Sequence, residues 1–163
     1  MLAVGILLDD MTSENGPVLM VPGTHKGPLH NHHSDGAFCG AIDQQETKLD
    51  ISTAQEVHAK AGSISIHHAR LVHGSSMNRS NNQRRILFFE FTAADAWPLL
   101  GIGNIEEFNG RIVQGQATIQ PRLEDVPVRM PYPPAVFQGS IYENQRTLDN
   151  RFFASDKDDL AAS

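Results

Sequence analysis

The 163-residue chain has little cysteine, few aromatic residues and no long apolar run. Cys39 is the only cysteine and cannot form an internal disulfide, which is typical of proteins from a reducing compartment. The longest apolar run, residues 2–8, is far shorter than a membrane span and lacks the basic leader and cleavage site of a signal peptide. We therefore expect a cytoplasmic protein that has no membrane partner.

Basic residues are also scarce, because 13 Lys and Arg face 19 Asp and Glu and leave a net charge of −6. This balance excludes a nucleic-acid-binding surface as the main function, since such surfaces need a basic face to displace counterions. Apolar residues make up 40% of the chain and charged residues 20%. That composition is sufficient for the core of one compact domain.

Short strands bounded by turns dominate the sequence pattern. Residues 2–8 are apolar and branched, as in a strand buried on both faces, and Asn15-Gly16 then predicts a hairpin at the N-terminus. In residues 63–68 two sets of side chains alternate with the period of a strand. One face carries Ile64, Ile66 and His68, and the other carries Ser63, Ser65 and His67. The alternation does not determine which of the two faces is buried. Residues 86–91 form a second apolar strand, whose Phe88, Phe89 and Phe91 are expected in the core, and residues 93–100 are expected to form a short helix. The pattern predicts an all-β sandwich or barrel of jelly-roll type.

The segment from His73 to Arg85 carries the first candidate site. A histidine at a strand end beside Gly74 can present a neutral imidazole to a metal ion, and Arg84 offers a planar fork for a carboxylate. The hydroxyl of Ser75 could donate a further hydrogen bond to the same anion. A plainer interpretation has His73 at the end of a strand and Arg84 with Arg85 solvated at the next strand, and spacing alone leaves both interpretations open.

The same segment resembles a known family. His73-Gly74-Ser75, followed by Asn78, Ser80 and Arg84-Arg85, is similar to the C-terminal signature of the phytanoyl-CoA dioxygenase family. Upstream, residues 8–17 and the turn at 22–26 also resemble that family, with Thr24 where serine is usual. Residues 93–99 are similar to a segment of its bacterial members. The resemblance covers about residues 2–100.

The resemblance implies a double-stranded β-helix oxygenase that uses Fe(II), the cosubstrate 2-oxoglutarate and O2 to hydroxylate a small organic substrate. By this resemblance His73 matches the distal iron ligand. Arg84 matches the residue that binds the far carboxylate of 2-oxoglutarate, and Ser75 matches its hydroxyl partner. Arg85 suits this role less well, because neighbouring residues on a strand point to opposite faces.

One departure from the family concerns the other iron ligands. The family's His-x-Asp pair precedes the Glu-Asn-Gly-Pro turn, whereas residues 1–13 contain no histidine. We therefore expect a β-helix that is incomplete at the N-terminus, with residues 1–120 as its C-terminal part and residues 121–163 as an extended arm and flexible tail. His33 and Asp35 form a His-x-Asp pair that could substitute for the missing ligands.

Two other functions remain as alternatives. One is a cupin-like metalloprotein that binds its metal through His30, His32, Asp35 and His73. The other is a non-catalytic assembly module, in which another chain covers an open sheet edge. Missing strands would favour such association, including a homo-oligomer, through exposed apolar surface.

Overall fold

A computed structural model of the protein describes residues 1–42, 47, 49–128, 130, 133–137 and 140–148. Eight strands account for most of the regular structure: β1 (Leu2–Leu7), β2 (Val18–Met20), β3 (His33–Ser34), β4 (Ala37–Phe38), β5 (Gln55–Val57), β6 (Ile64–His68), β7 (His73–Ser75) and β8 (Ile86–Phe91). The helices are short: α1 (Ile105–Asn109), α2 (Ile141–Asn144) and the 3₁₀ turns Thr24–Lys26 and Gln145–Thr147. None of the helices in these ranges has the length and apolar character that crossing a bilayer requires.

Six strands form two antiparallel three-stranded sheets, in the orders β6-β1-β8 and β5-β2-β7. The successive pairs β1/β2, β5/β6 and β7/β8 each place one strand in each sheet. The β1/β2 pair therefore has β5/β6 on one side and β7/β8 on the other, which is the winding of a double-stranded β-helix. This arrangement confirms the predicted all-β class.

The prediction of a hairpin at the N-terminus is wrong. β1 and β2 lie in different sheets and do not pair with each other. The linker between them instead pairs with later segments, through a bridge from Met11 to Ala59 and another from Asn15 to Asn78. Gly16 sits at φ 76°, where a Cβ would lie 2.8 Å from the carbonyl oxygen of Ser76. The Asn-Gly sequence thus serves a close approach of two loops rather than a hairpin turn.

The core lies between the sheets. Leu7, Met11 and Val18 are buried there, and partly buried hydrophobic residues pack against them: Met20, Val57, Ala59 and Ile86. These side chains come from both sheets and from the linker after β1. They hold β1 and β2 face to face, which fixes the position of β7 beside β2.

The expectation that the phenylalanines of β8 lie in the core is also wrong. Phe88, Phe89 and Phe91 are exposed, as are Ile64 and Ile66 on β6, with 61% and 65% of their surface accessible. The register of β1 with its neighbours places Phe89, Phe91, Ile64 and Ile66 on the outer face of the sheet, opposite the buried Leu7. Residues 2–8 are consequently buried mainly on one face, not on two.

Residues 93–100 form turns rather than the expected helix. Pro98 lies within this stretch and cannot donate a helical hydrogen bond, and Asp95 instead pairs with Arg122 at 2.9 Å. The helix α1 follows, begun by Asn104, whose side chain accepts a hydrogen bond from the backbone of Glu107. The division into residues 1–120 and 121–163 stays a prediction.

Candidate active site

The start of β7 is anchored by the Pro-Gly-Thr turn at residues 22–24. The Thr24 hydroxyl donates to the carbonyl of Val21 at 2.8 Å and accepts from the backbone N–H of Val72 at 2.9 Å. The backbone N–H of Val21 also donates to the carbonyl of Val72 at 2.9 Å. Because Val72 directly precedes His73, these bonds fix the backbone at the point where the candidate site begins. Thr24 therefore supplies the same hydroxyl group as the serine that is usual at this position in the family that the sequence resembles.

His73 opens β7 and faces the space between the two sheets. Its Nδ1 lies 2.7 Å from the carbonyl oxygen of Leu71, which accepts a hydrogen bond only if Nδ1 carries the proton. The lone pair of the neutral ring is therefore at Nε2, the tautomer suited to metal binding. The ring centroid lies 4.9 Å from that of His67 on β6, in the opposite sheet. His73 nevertheless remains exposed, so this part of the inter-sheet space is open to solvent.

Ser75 shares the face of β7 that carries His73, and Arg84, from the loop before β8, contacts Ser75. Residues two apart on a strand point the same way and lie roughly 6.6 Å apart along it, so Ser75 also faces the inter-sheet space. Arg84 Nη2 donates to Ser75 Oγ at 3.1 Å. The imidazole of His73 and the guanidinium of Arg84 are therefore both directed toward the inner side of β7.

The neighbouring Arg85 is engaged elsewhere. Its Nε and Nη2 donate to the two carboxylate oxygens of Asp9, both at 2.9 Å, and its backbone N–H donates to Asp9 at 2.8 Å. These side-chain and backbone hydrogen bonds from Arg85 lower the pKa of Asp9 from 3.8 to about 2. Sequence reasoning missed this pair, although Asp9 follows β1 and Arg85 precedes β8, and those two strands are antiparallel neighbours.

The histidine-rich loop lies near β7. Both the backbone N–H and the thiol of Cys39 donate to the carbonyl of His32, at 2.8 and 3.3 Å, and His32 Nδ1 lies 2.9 Å from the carbonyl oxygen of His30. Burial is the main cause that lowers the pKa of His32, and the nearby charges of His30, His33 and His73 lower it further. The hydrogen bonds to Cys39 and His30 thus hold His32 within the loop.

The substitute pair, His33 and Asp35, lies in the hairpin of β3 and β4. Asp35 at φ 49° and Gly36 at φ 75° form its two-residue turn, with Asp35 exposed at the tip, whereas His33 is buried. Across the described ranges, no three His, Cys, Asp or Glu side chains are grouped to hold a metal ion. This geometry supports neither the substitute pair nor the cupin-like set. The assignment of His73 as an iron ligand and of Arg84 and Ser75 as carboxylate partners stays a prediction.

His67 is the site residue that sequence reasoning left undecided. The register places it on the inner face of β6 opposite Ala3, and only 7% of its surface is accessible. Its Nδ1 is buried without a hydrogen-bond partner. Burial lowers the pKa of His67, and the charge of His73 lowers it further.

Comparison with known proteins gives a family match and two relatives. The family model "Phytanoyl-CoA dioxygenase (PhyH)" matches residues 1–86. A protein of Stutzerimonas stutzeri named as a probable alpha-ketoglutarate-dependent hypophosphite dioxygenase is 36% identical over 156 residues, which cover 93% of this chain and 54% of that protein. The human peroxisomal phytanoyl-CoA dioxygenase is 28% identical over 95 residues, which cover 54% of this chain and 27% of the human protein. The chain thus spans about half the length of the bacterial relative and less of the human one.

A solved structure also shows a partial likeness. The crystal structure of EctD from S. alaskensis with bound Fe superposes with a TM-score of 0.42 at 23% identity, over 53% of this chain and 29% of that one.

Proposed function

Because the chain belongs to the phytanoyl-CoA dioxygenase family, which its residues 1–86 match, we propose that it forms part of an Fe(II)- and 2-oxoglutarate-dependent dioxygenase. The observation that carries this proposal is the convergence of His73 and Arg84. Both face the same inter-sheet space, His73 through its contact with His67 and Arg84 through its bond to Ser75. A metal ion and a dicarboxylic keto acid need such neighbouring positions if they are to be bound together.

Each residue has a separate role in this proposal. His73 would bind iron through Nε2, since the bond from Nδ1 to Leu71 fixes the tautomer and the ring orientation. Arg84 would bind the far carboxylate of 2-oxoglutarate, with the Ser75 hydroxyl holding the guanidinium in place. Bound iron would supply the activation of O2 that couples oxidation of the keto acid to oxidation of the substrate. The described residues do not complete the iron's ligand set.

In place of the small organic substrate that the resemblance implies, we propose a small oxyanion as the substrate, with hypophosphite as the first candidate. The relative named for hypophosphite is 36% identical, and its similarity extends over 93% of this chain. The similarity to the human phytanoyl-CoA dioxygenase covers only 54% of the chain at 28% identity. A cytoplasmic location and association with a second copy stay predictions.

The proposal is tested by release of succinate from 2-oxoglutarate in the presence of Fe(II) and hypophosphite. We expect His73→Ala to abolish succinate release. His58→Ala is the matched control, because His58 is exposed and pairs with Glu56 at 2.6 Å. Equal activity in the wild type and His73→Ala would refute the role of His73, and a wild-type chain that releases no succinate would refute the catalytic proposal for this chain.

A further inference from the structure

We propose that His67 binds the substrate, by a hydrogen bond from its imidazole to an oxygen atom of a small oxyanion held beside His73. This inference rests on the proposed function and adds a residue to it that neither the signature nor the comparisons assign. It starts from a polar group in the fold that lacks a partner. His67 is 7% accessible, and its Nδ1 is buried without a hydrogen bond.

A buried imidazole nitrogen without a partner is costly. Leaving such a group unsatisfied costs about 1–3 kcal/mol, and most buried polar groups in native proteins are paired. An apolar side chain on β6 would avoid this cost, and the strand already carries Ile64 and Ile66 on its other face. Nδ1 has almost no accessible surface in the free protein, so a polar ligand in the inter-sheet space would become its partner once the ring rotates about χ2.

The location of His67 matches a substrate position. Its ring lies 4.9 Å from that of His73, centroid to centroid, and the guanidinium of Arg84 donates to Ser75. In the proposed function His73 binds iron, and Arg84 with Ser75 binds the keto acid. His67 lies on this wall in contact with His73 and has no role in the proposed function.

The wall beside His67 favours a small, polar substrate. Ser65 faces the same way as His67, since the two residues lie two positions apart on β6. A Cβ on the intervening Gly5 of β1 would lie 2.8 Å from Ser65 Oγ and 3.1 Å from Phe88 Cε1, so these two side chains already close over the centre of the sheet. Glu90 also occupies the inner face, beyond Ala3 on β1, and its carboxylate repels an anion toward the His67 side.

The test uses hypophosphite as the probe and the full chain in the presence of 2-oxoglutarate. We expect the ¹⁵N signals of the His67 ring to shift on titration with hypophosphite, while those of His58 stay fixed. His67→Phe should weaken hypophosphite binding, followed by ³¹P NMR line width, by at least tenfold. His67→Gln keeps an N–H donor and should retain part of the affinity, and His58→Phe should bind as the wild type does.

The outcomes separate this inference from the proposed function. If His67→Phe binds hypophosphite as tightly as the wild type, or if the His67 signals do not move at saturating hypophosphite, the inference is wrong. Absence of hypophosphite binding by the wild type would overturn it as well. Succinate release in the absence of hypophosphite tests the proposed function alone, since His67 touches neither the iron nor the keto acid in this scheme. Thermal melts of both His67 variants show whether a loss of binding reflects a loss of fold.

Discussion

The adjacent arginines Arg84 and Arg85 provide a sharp test, because they differ in what they contact rather than in their chemistry. Arg84 donates to Ser75 Oγ at 3.1 Å inside the inter-sheet space, whereas Arg85 forms a two-bond ion pair with Asp9 outside it. Removing a hydrogen-bonded charge from a carboxylate costs about 1.5–3 kcal/mol, which corresponds to roughly 10–150-fold in affinity. We therefore expect Arg84→Ala to weaken 2-oxoglutarate binding by one to two orders of magnitude.

The assay is calorimetric titration of the chain with 2-oxoglutarate, repeated as a KM determination wherever succinate release is measurable. Arg84→Lys keeps the charge but not the planar fork, so its affinity should fall between those of the wild type and Arg84→Ala. Arg85→Ala should leave the affinity unchanged, although it removes the partner of Asp9. Equal losses in Arg84→Ala and Arg85→Ala, or a loss in Arg85→Ala alone, would refute the assignment.

Three predictions concern the scaffold of the site. Thr24→Ala removes two hydrogen bonds, one to Val21 and one from Val72, and should lower the free energy of unfolding by about 1–3 kcal/mol and Tm by about 3–9 °C. Thr24→Ser keeps the hydroxyl and should melt near the wild type. An unchanged thermal melt of Thr24→Ala would contradict the anchoring role of this hydroxyl. Asn15→Ala should lower the free energy of unfolding, measured by denaturant titration, by about 2–3 kcal/mol, because the buried amide of Asn15 forms hydrogen bonds with Thr12, Asp10 and the loop before β8. A decrease below about 0.5 kcal/mol would show that these hydrogen bonds do not stabilise the fold. Because the pKa of Asp9 is lowered in the folded protein, its ion pair stabilises the fold above about pH 4, and this contribution is lost as the pH falls from 3.8 toward 2. Asp9→Asn should therefore flatten the pH dependence of the free energy of unfolding in that window.

The family signature and the pleat of a strand made several features predictable. The apolar runs at residues 2–8 and 86–91 and the alternation at 63–68 correspond to β1, β8 and β6. The different partners of Arg84 and Arg85 agree with the alternation of side chains along an extended chain, although both residues precede β8. These features depend on local sequence alone, which is why they could be predicted without tertiary structure.

The face of each strand that points inward could not be predicted. A period-two pattern defines two faces and leaves their burial to the pairing of the strands. On β6 the polar face, with Ser65 and His67, points inward, while Ile64 and Ile66 point outward. The usual rule of apolar side chains inside therefore fails at the candidate site, where the interior must bind polar groups.

Contacts between segments that are distant in the sequence could not be predicted either. The pairing of Asp9 with Arg85 depends on the placement of β1 beside β8, and the approach of Gly16 to Ser76 depends on the linker that crosses between the sheets. The exposed position of Asp35 depends on the two-residue turn of the hairpin, where an Asp-Gly sequence favours positive φ. The Asp-Gly turn could be recognised in the sequence, and it is an argument against Asp35 as a metal ligand.

The central claim, that a metal ion and a keto acid bind together between His73 and Arg84, is tested most directly by paramagnetic NMR. Mn²⁺ and 2-oxoglutarate would be added to protein labelled with ¹⁵N in its histidine and arginine side chains. The account predicts that the signals of His73 and Arg84 broaden at lower Mn²⁺ concentrations than those of His58 and Arg85. Broadening of neither His73 nor Arg84, or of His58 and Arg85 to the same extent, would contradict it.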